Sequence, residues 1–598
     1  MVGVEVEFIN KKINPDKTTC PLDCYDGCEI EFDGQDLKGS KTHPVTRGYL
    51  CYKMDKFLKY QRIKTPRYKG EEVSLEEALD ILSAKLKEFK DGNNLFLKGS
   101  GNLGKLQSIT KEFFARFGFV GTKGSLCDGS GDAGIKEGRG ANLLVPLYEV
   151  KNSEVVVIWG RNPEVTNTHL SPLLKDKKII VIDPYRTNLS KKADLFLQIK
   201  PRGDLFLVFL LARIIYMQQL EDEDFIENRC EGFEDFIELI EEYHLKQLSK
   251  LCGIDIDKAW EMVDLISDKK TLFLVGIGVQ KYITGHYVLR AIDSLATMLG
   301  LFGKSGSGVS FLSDSSYGFK KLFKDFQKRV TLPNIDFSKF DMVFIQGANP
   351  LVSMPSTKKV KEGWDKAKFR VYFGLYENES AKEADLILPV VDFLSKEDVR
   401  ASYGHEFIGF MPKLRDSKSG ISEYELTNFL LKKFFDDKLK DEKEYIKEFV
   451  SSNSIEKDGL LISKNYRDTP YKNGFFTESK KFIFLDEYDD DFLEDYEDDE
   501  GYYLLTRKDK KSLNSSFFSD EYLYIPPILG FSDDEEVRVI SDYGEAIFKI
   551  KIDKNLRNDT LLTKTGNPKQ NYLTPNFCSI EGDNASFQEL KVRIEKVL

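Results

Sequence analysis

Short apolar runs alternate with amphipathic stretches through the middle of this chain, a pattern that predicts an α/β architecture with open parallel sheets. EVVVIWG (154–160), KKIIVID (177–183) and TLFLVGIG (271–278) are continuous apolar runs of strand length, as expected of strands buried on both faces. Each ends in a Gly, Asp or Asn-Pro turn before a polar stretch. The pattern returns at FDMVFIQGANP (340–350), FRVYFGLYENE (369–379) and ADLILP (384–389). Sheets of this kind bind ligands at the C-terminal ends of their strands. SLEEALDILSAKLKEF (74–89) predicts a helix, with Ser74 and Glu77 in a capping-box pattern and Leu75, Leu79, Leu82 and Leu86 on one face. The most apolar stretch, Leu205 to Met217, contains Arg213 and is too short to cross a bilayer, so it predicts a buried helix. The acidic run DEYDDDFLEDYEDDE (486–500) predicts a solvated linker. Beyond it YYLLTRKD, EEVRVIS and EAIFKIKI predict the strands of a separate β-rich domain. No internal repeat is evident.

With 598 residues the chain can build several cores. A net charge of −11 argues against nonspecific binding of nucleic acid or of an anionic membrane. Eight cysteines in this length make no disulfide scaffold. The N-terminal segment carries neither an apolar core nor a twin-arginine pair, so no export signal is read and the expectation is a cytoplasmic protein with no membrane insertion.

Chemistry concentrates first at the N-terminus. Cys20, Cys24, Cys28 and Cys51 stand in TTCPLDCYDGCEIEF…RGYLCYKMDKF. Four thiolates in one pocket bind an iron–sulfur cluster or zinc, and the spacing lacks the close Cys-x2-Cys pairs usual in structural zinc sites. Lys53 follows the last of them by two residues. Two glycine-rich loops come next, LKGSGNLGKLQ (97–107) and GSLCDGSGDAG (124–134), which allow backbone to approach a bulky ligand closely. A lone cysteine is usually a small buried hydrophobe, but Cys127 sits among Gly, Ser and Asp, surroundings that suit a thiolate metal ligand. The strand ends WGRNPEVTNTH (159–169), VIDPYRTN (181–188), KPRGD (200–204) and QGANP (346–350) are individually compatible with plain turn chemistry or with phosphate and ribose binding.

Taken in order, these segments resemble the dimethyl sulfoxide reductase superfamily, the molybdenum or tungsten enzymes that carry a bis-molybdopterin guanine dinucleotide cofactor. The resemblance rests on CPLDCYDGC…RGYLCYK, GSGNLG, SLCDGSGDAG, WGRNP, IDPYRT, GIGVQKYITG, GANP, EADLILP and a C-terminal NYLTP, and runs through nearly the whole chain. It implies a small N-terminal iron–sulfur module (1–60) and two interleaved open α/β domains. One of these would be discontinuous (61–150 plus 306–485) and the other Rossmann-like (151–305), with a C-terminal β-barrel pterin-binding domain (501–598). It implies a [4Fe–4S] cluster on Cys20, Cys24, Cys28 and Cys51, Lys53 as an electronic bridge to a pterin, and Cys127 as protein ligand to molybdenum or tungsten. Gly101 and Asn102 would lie against the cofactor. Gly160, Asn162, Asp183, Arg186 and Asp204 would hold one dinucleotide, and Gly278, Gly347 and Asn349 the other.

What the resemblance implies about activity is a two-electron atom transfer or dehydrogenation on a small-molecule substrate. Electrons would pass through the cluster to an iron–sulfur electron-transfer subunit or ferredoxin, since Cys230, Cys252 and Cys578 are isolated. Asp128 is a candidate catalytic residue, and Asp132, His169 and His405 are further candidates for proton handling. Formate dehydrogenases have a histidine after the metal-ligating residue where this chain has Asp128, and an arginine in the loop matching GSGVSFLSD (306–314), which has none. The stretch SKEDVRASYGHEF (395–407) also departs from the superfamily's usual pattern. Two other readings remain: a non-redox hydratase of the same fold, as in the acetylene hydratases, with Asp23 as the acid, or a cluster-bearing scaffold without catalysis.

Overall fold

A computed structural model describes residues 16–143, 145–311, 318–417, 419–488, 500–517 and 520–597. Most of the acidic run, residues 489–499, lies outside the described residues, as do the N-terminal fifteen and part of the 306–314 loop. Among the described residues no helix is long and apolar enough to cross a membrane.

The N-terminal module is a three-stranded antiparallel sheet of Lys17–Thr19, Glu29–Phe32 and Leu37–Gly39. Its first connection, residues 20–28, carries three of the four clustered cysteines. Two open sheets follow. In the first, Leu195–Leu197, Lys178–Ile182, Val155–Trp159, Thr271–Val275 and Gly308–Phe311 lie side by side in that order, all parallel. Successive side chains of a strand point to opposite faces, so its continuous apolar runs serve two cores. Val155, Val157 and Trp159 pack with the helices Asp204–Met217 and Gly285–Met298. Val156 and Ile158 face Val145, Leu170 and Tyr25 on the other side. The Asp204–Met217 helix is buried almost all round, as its uniform hydrophobicity requires.

The second sheet has Leu386–Pro389, Phe369–Gly374, Met342–Gln346 and Asn94–Lys98 in parallel. A short hairpin, Arg67–Tyr68 with Glu71–Glu72, caps one edge in antiparallel fashion. The helix Leu75–Glu88 covers this sheet with Leu82 and Leu86 buried, and the Ser74 side chain accepts from the Glu77 amide at 3.1 Å.

The domain boundaries drawn from sequence are displaced in the core. Gly308–Phe311 completes the first sheet although it falls beyond residue 305, because it pairs in parallel with Thr271–Val275. The helix Gly129–Arg139 and the segment around Phe475, Phe482 and Phe484 also pack into that domain's core. The buried bidentate pair of Arg139 with Asp293 ties the first of these to the Gly285–Met298 helix.

The C-terminal region is a closed six-stranded barrel of Tyr502–Arg507, Leu523–Ile525, Glu536–Ser541, Gly544–Ile552, Thr560–Lys564 and Lys591–Lys596. Its interior is filled by Leu504, Val537, Val539, Phe548, Ile550 and Leu561. The long connection between the last two strands leaves the barrel and returns to the glycine-rich loop at 124–131. Gly582 and Gly129 touch backbone to backbone there, and Ser125 pairs with the chain at Asn584.

Candidate active site

The two sheets end in the same turn. After Val155–Trp159 comes Gly160-Arg161-Asn162-Pro163, and after Met342–Gln346 comes Gly347-Ala348-Asn349-Pro350. Gly160 and Gly347 share a φ of +57°, and each proline opens a short helix directly after its asparagine, whose side chain makes no capping bond. Each turn meets the glycines ending the neighbouring parallel strand. Gly276 and Gly278 lie against the Gly160 carbonyl, and Gly99 and Gly101 against the Gly347 carbonyl. The chain therefore contains a structural repeat that sequence reading missed, because only a Gly-x-Asn-Pro tetrapeptide survives in the residues. Gly278, expected to hold the same dinucleotide as Gly347, lies against the Gly160 turn, since its strand pairs with Val155–Trp159.

Polar groups in the Gly160 turn lack partners. Arg161 is buried, with its guanidinium 4.6 Å from the Tyr25 ring centroid. None of its three nitrogens has a hydrogen-bond partner, nor has Asn162 Oδ1. Unpaired buried polar groups are costly, and their presence at a strand end marks a ligand-binding edge. Asp183 closes the neighbouring strand and accepts the Tyr185 amide at 2.8 Å, and burial pushes its carboxyl up to about 7. Arg186 is exposed, its amide bonded to Asn555 of the barrel domain and its guanidinium over Phe196. Two expected ligand residues are committed to structure. Asp204 accepts the Trp159 indole N–H at 2.6 Å. Asn349 binds Glu379 and Ser380. Asn102 caps its own loop at the Gly104 amide.

The cysteine loop is held by the 395–407 stretch. Arg400, fully buried, donates to the carbonyls of Cys20, Leu22 and Cys24. Ser402 donates to the Tyr25 carbonyl at 2.8 Å, and His405 Nε2–H donates to the Asp26 carbonyl at 2.6 Å. The four thiols lie near enough to feel one another. Burial pushes Cys20 up to about 12, opposed by Arg400 and reinforced by Cys51. Cys24 and Cys28 are raised further, by burial and then Asp26. Among the described residues no three Cys, His, Asp or Glu side chains converge on a point where one ion could be held. Cys51 opens the turn Tyr52–Asp55, which carries the buried Lys53.

His169 lies at this module, not at Cys127. Its Nδ1 is 2.8 Å from Asp26 and its Nε2 bonds the Tyr49 carbonyl at 3.0 Å, with Cys28 Sγ 3.8 Å from the ring. His405 is a loop anchor, and Asp132 is taken up by Lys136 and Asn142. Of the four candidates for proton handling, Asp128 is the one beside Cys127.

Cys127 is placed by its own loop and by the segment after Gly276. The Ser125 hydroxyl accepts the Cys127 amide at 2.8 Å and donates to Asp128 at 3.2 Å. The buried Gln280 donates to the Cys127 carbonyl and accepts the Gly131 amide, joining the loop to the helix start. Lys281 donates to the Leu126 carbonyl. Burial pushes Cys127 up to about 12; Asp128 and Asp23 add to this, and Lys281 and Lys508 oppose it. Asp128 is likewise raised by burial, and burial draws Lys281 down to about 8. Tyr403 stands between the two thiol sites. Its hydroxyl donates to Asp23 at 3.3 Å, and its ionisation is opposed by burial, then by Asp23, Cys24 and Cys127. Asp23, Cys24, Tyr403, Cys127, Asp128 and Lys281 are each partly exposed. Lys281 lies within GIGVQKYITG, and Arg400 and Tyr403 within SKEDVRASYGHEF, yet nothing in those segments singles out these side chains, and Lys508 stands outside every quoted motif.

Residues 62–416 match a family model described as molybdopterin oxidoreductase. The chain is 29% identical over 448 residues to the probable oxidoreductase YyaE of Bacillus subtilis (strain 168), covering 67% of this chain and 65% of that protein. It is 26% identical over 435 residues to the F420-dependent formate dehydrogenase subunit alpha of Methanocaldococcus jannaschii, covering 64% of each. The match thus spans just under two thirds of these relatives' length. Among solved structures, acetylene hydratase from Pelobacter acetylenicus shares the fold with a TM-score of 0.75 at 16% identity, over 97% of this chain and 100% of that one.

Proposed function

The chain belongs to the molybdopterin oxidoreductase family, and from that premise we propose that it is a molybdenum or tungsten enzyme acting on a small substrate at Cys127. Electrons would be relayed through a [4Fe–4S] cluster on Cys20, Cys24, Cys28 and Cys51 to a separate partner. The observation that carries this reading is the position of Tyr403, which feels Asp23, Cys24 and Cys127 at once. The cysteine module and the lone thiol thus lie close to one tyrosine, whose hydroxyl donates to Asp23.

The residues fit the groups the family uses. Four thiols that sense one another but do not converge on a point suit a multi-iron cluster better than one zinc ion, whose sulfur ligands must approach within about 2.3 Å. Buried thiols with raised pKa values become ligands when a bound cation supplies the compensating charge. Gly347 faces open space that would admit a dinucleotide, and Arg161 and Asn162 offer the Gly160 side donors and an acceptor that make no hydrogen bond among the described residues. When bound, the pterin-held metal supplies the two-electron chemistry. The chain's own part is to fix Cys127 through Ser125 and Gln280 and to place Lys281 beside it. Asp128 and Tyr403, whose ionisation burial opposes, hold protons beside Cys127, and Asp23 accepts the Tyr403 hydroxyl. Lys53, buried two residues after Cys51, would lie between cluster and pterin.

Metal analysis tests this directly. About four iron atoms with molybdenum or tungsten, together with turnover of oxidised sulfur, nitrogen or arsenic compounds by reduced viologen, would bear it out. Iron without either heavy metal would exclude it. Cys127→Ala should abolish turnover while leaving iron content unchanged. A hydratase reading is favoured by one observation, the Asp23 carboxyl on the Cys127 side of the cysteine loop within reach of Tyr403. Substrate-driven change in the cluster's paramagnetic signal separates the two, since hydration leaves the cluster's oxidation state alone.

A further inference from the structure

The chain is acidic overall, yet residues 37–64, which surround the fourth cysteine, contain eight Lys or Arg and one acid, Asp55. The structure gathers part of this charge into a face. Lys41 runs over Gly48, and Gly39 packs on the backbone of Gly48 and Tyr49. Lys56 lies 5.9 Å from the centre of the Tyr52 ring. Lys41, Arg47, Lys59 and Lys64 are in no ion pair among the described residues; Arg47 instead donates to the His169 carbonyl at 2.7 Å. At the centre stands the partly exposed Cys51, flanked by Tyr49 at 52% and Tyr52 at 45% exposure. Lys56 pairs with the exposed Asp55, the one acid of the segment. Exposed aromatics amid an excess of one sign of charge have the make-up of a docking face, with ring area for contact and charge for steering.

We propose that this face docks an acidic protein carrying a one-electron centre, with Cys51 as the point of electron passage. The inference rests on the cluster of the proposed function and adds the partner's charge and its docking surface. An acidic partner follows from the excess of unpaired cations. A redox partner, rather than a nucleic acid or a lipid headgroup, follows from the partly exposed cysteine at the centre of the face. In the exchange the carrier loses one electron and the cluster gains one, and no bond is made or broken.

Stopped-flow absorbance on the iron-loaded full chain tests this. Reduced [2Fe–2S] ferredoxin, which is acidic, serves as donor to the oxidised cluster. Oxidised cytochrome c, which is basic, serves as acceptor from the dithionite-reduced cluster. The ferredoxin rate constant should fall about tenfold or more as salt rises, and the cytochrome c rate should not fall. Lys41→Glu with Lys59→Glu should slow the ferredoxin reaction about tenfold at low salt, and Tyr52→Ser should slow it with little change in salt slope. Salt-independent transfer from ferredoxin, or variants that react as the parent does, overturns the docking face while leaving the cluster in place. Binding of heparin or anionic vesicles with no competition from ferredoxin also overturns it. A chain that takes up no four-iron cluster overturns both this inference and the function it rests on. The salt dependence is read on the unaltered protein, so poor folding of a variant does not blunt the test.

Discussion

Arg400 reaches across 376 residues of sequence to donate from Nη2 to the Cys24 carbonyl at 2.8 Å. With Nη1 on the carbonyls of Cys20 and Leu22, one buried guanidinium closes the loop that carries three cysteines. Arg400→Met keeps most of the volume and leaves three acceptors unpaired. Each charge-assisted bond is worth about 1.5–3 kcal/mol, so the loop should open and iron retention should fall severalfold. Iron per chain after desalting measures this, with a thermal melt to separate local from global loss. Full iron retention would show that the loop closes without the clamp.

The strands were legible in sequence because those buried on both faces must be apolar throughout, and a run such as Val155–Trp159 admits few other readings. The cysteines at 20, 24 and 28 stand out in sequence because their spacing is local. What escaped detection acts at a distance. Arg400 and Tyr403 lie in a stretch that departs from the superfamily's usual pattern, and only folding shows that the stretch holds the cysteine loop. His169 ends a strand-end motif in sequence, and only folding shows that its loop turns toward Cys28. Gly308–Phe311 shows that a domain boundary cannot be placed by sequence interval when the last strand of a sheet arrives after a helix and a loop.

Arg139 and Asp293 are both fully buried and pair in bidentate fashion, Nε to Oδ2 at 2.6 Å. This joins the helix that begins at Cys127's loop to the core of the first α/β domain. Removing one partner strands a charge at a cost of about 3–5 kcal/mol, whereas replacing both by apolar groups is often nearly neutral. Arg139→Met or Asp293→Leu alone should lower the unfolding midpoint markedly, and the double variant should recover most of the loss. Equal effects of single and double variants in denaturant titration would refute the pairing.

Asp183 gives a pH dependence with a definite sign. Burial holds its folded-state pKa near 7, well above the value of about 4 in an unfolded chain. Folding therefore favours the protonated carboxyl. This contribution is fully present below pH about 4 and is lost as pH rises through about 7. The chain without cofactor should melt lower at pH 8 than at pH 5.5, and Asp183→Asn should flatten that part of the profile by raising the melting temperature at the higher pH. If Asp183→Asn left the slope between those values unchanged, other carboxyls would account for it.

Gly160 and Gly347 share one backbone conformation but differ in what surrounds them. A Cβ on Gly160 would lie 2.5 Å from Val279 Cγ1, while one on Gly347 would meet no protein atom within 4 Å. At φ +57° an alanine at either site costs about 1 kcal/mol in backbone strain. Gly160→Ala should therefore destabilise the fold beyond that amount and loosen the turn that presents Arg161. Gly347→Ala should fold almost normally, so any loss it causes falls on the ligand lying over that turn. Guanine nucleotide released by acid hydrolysis measures the second effect, and the melting temperature the first. A Gly347→Ala protein with full nucleotide content would place the dinucleotide away from this turn.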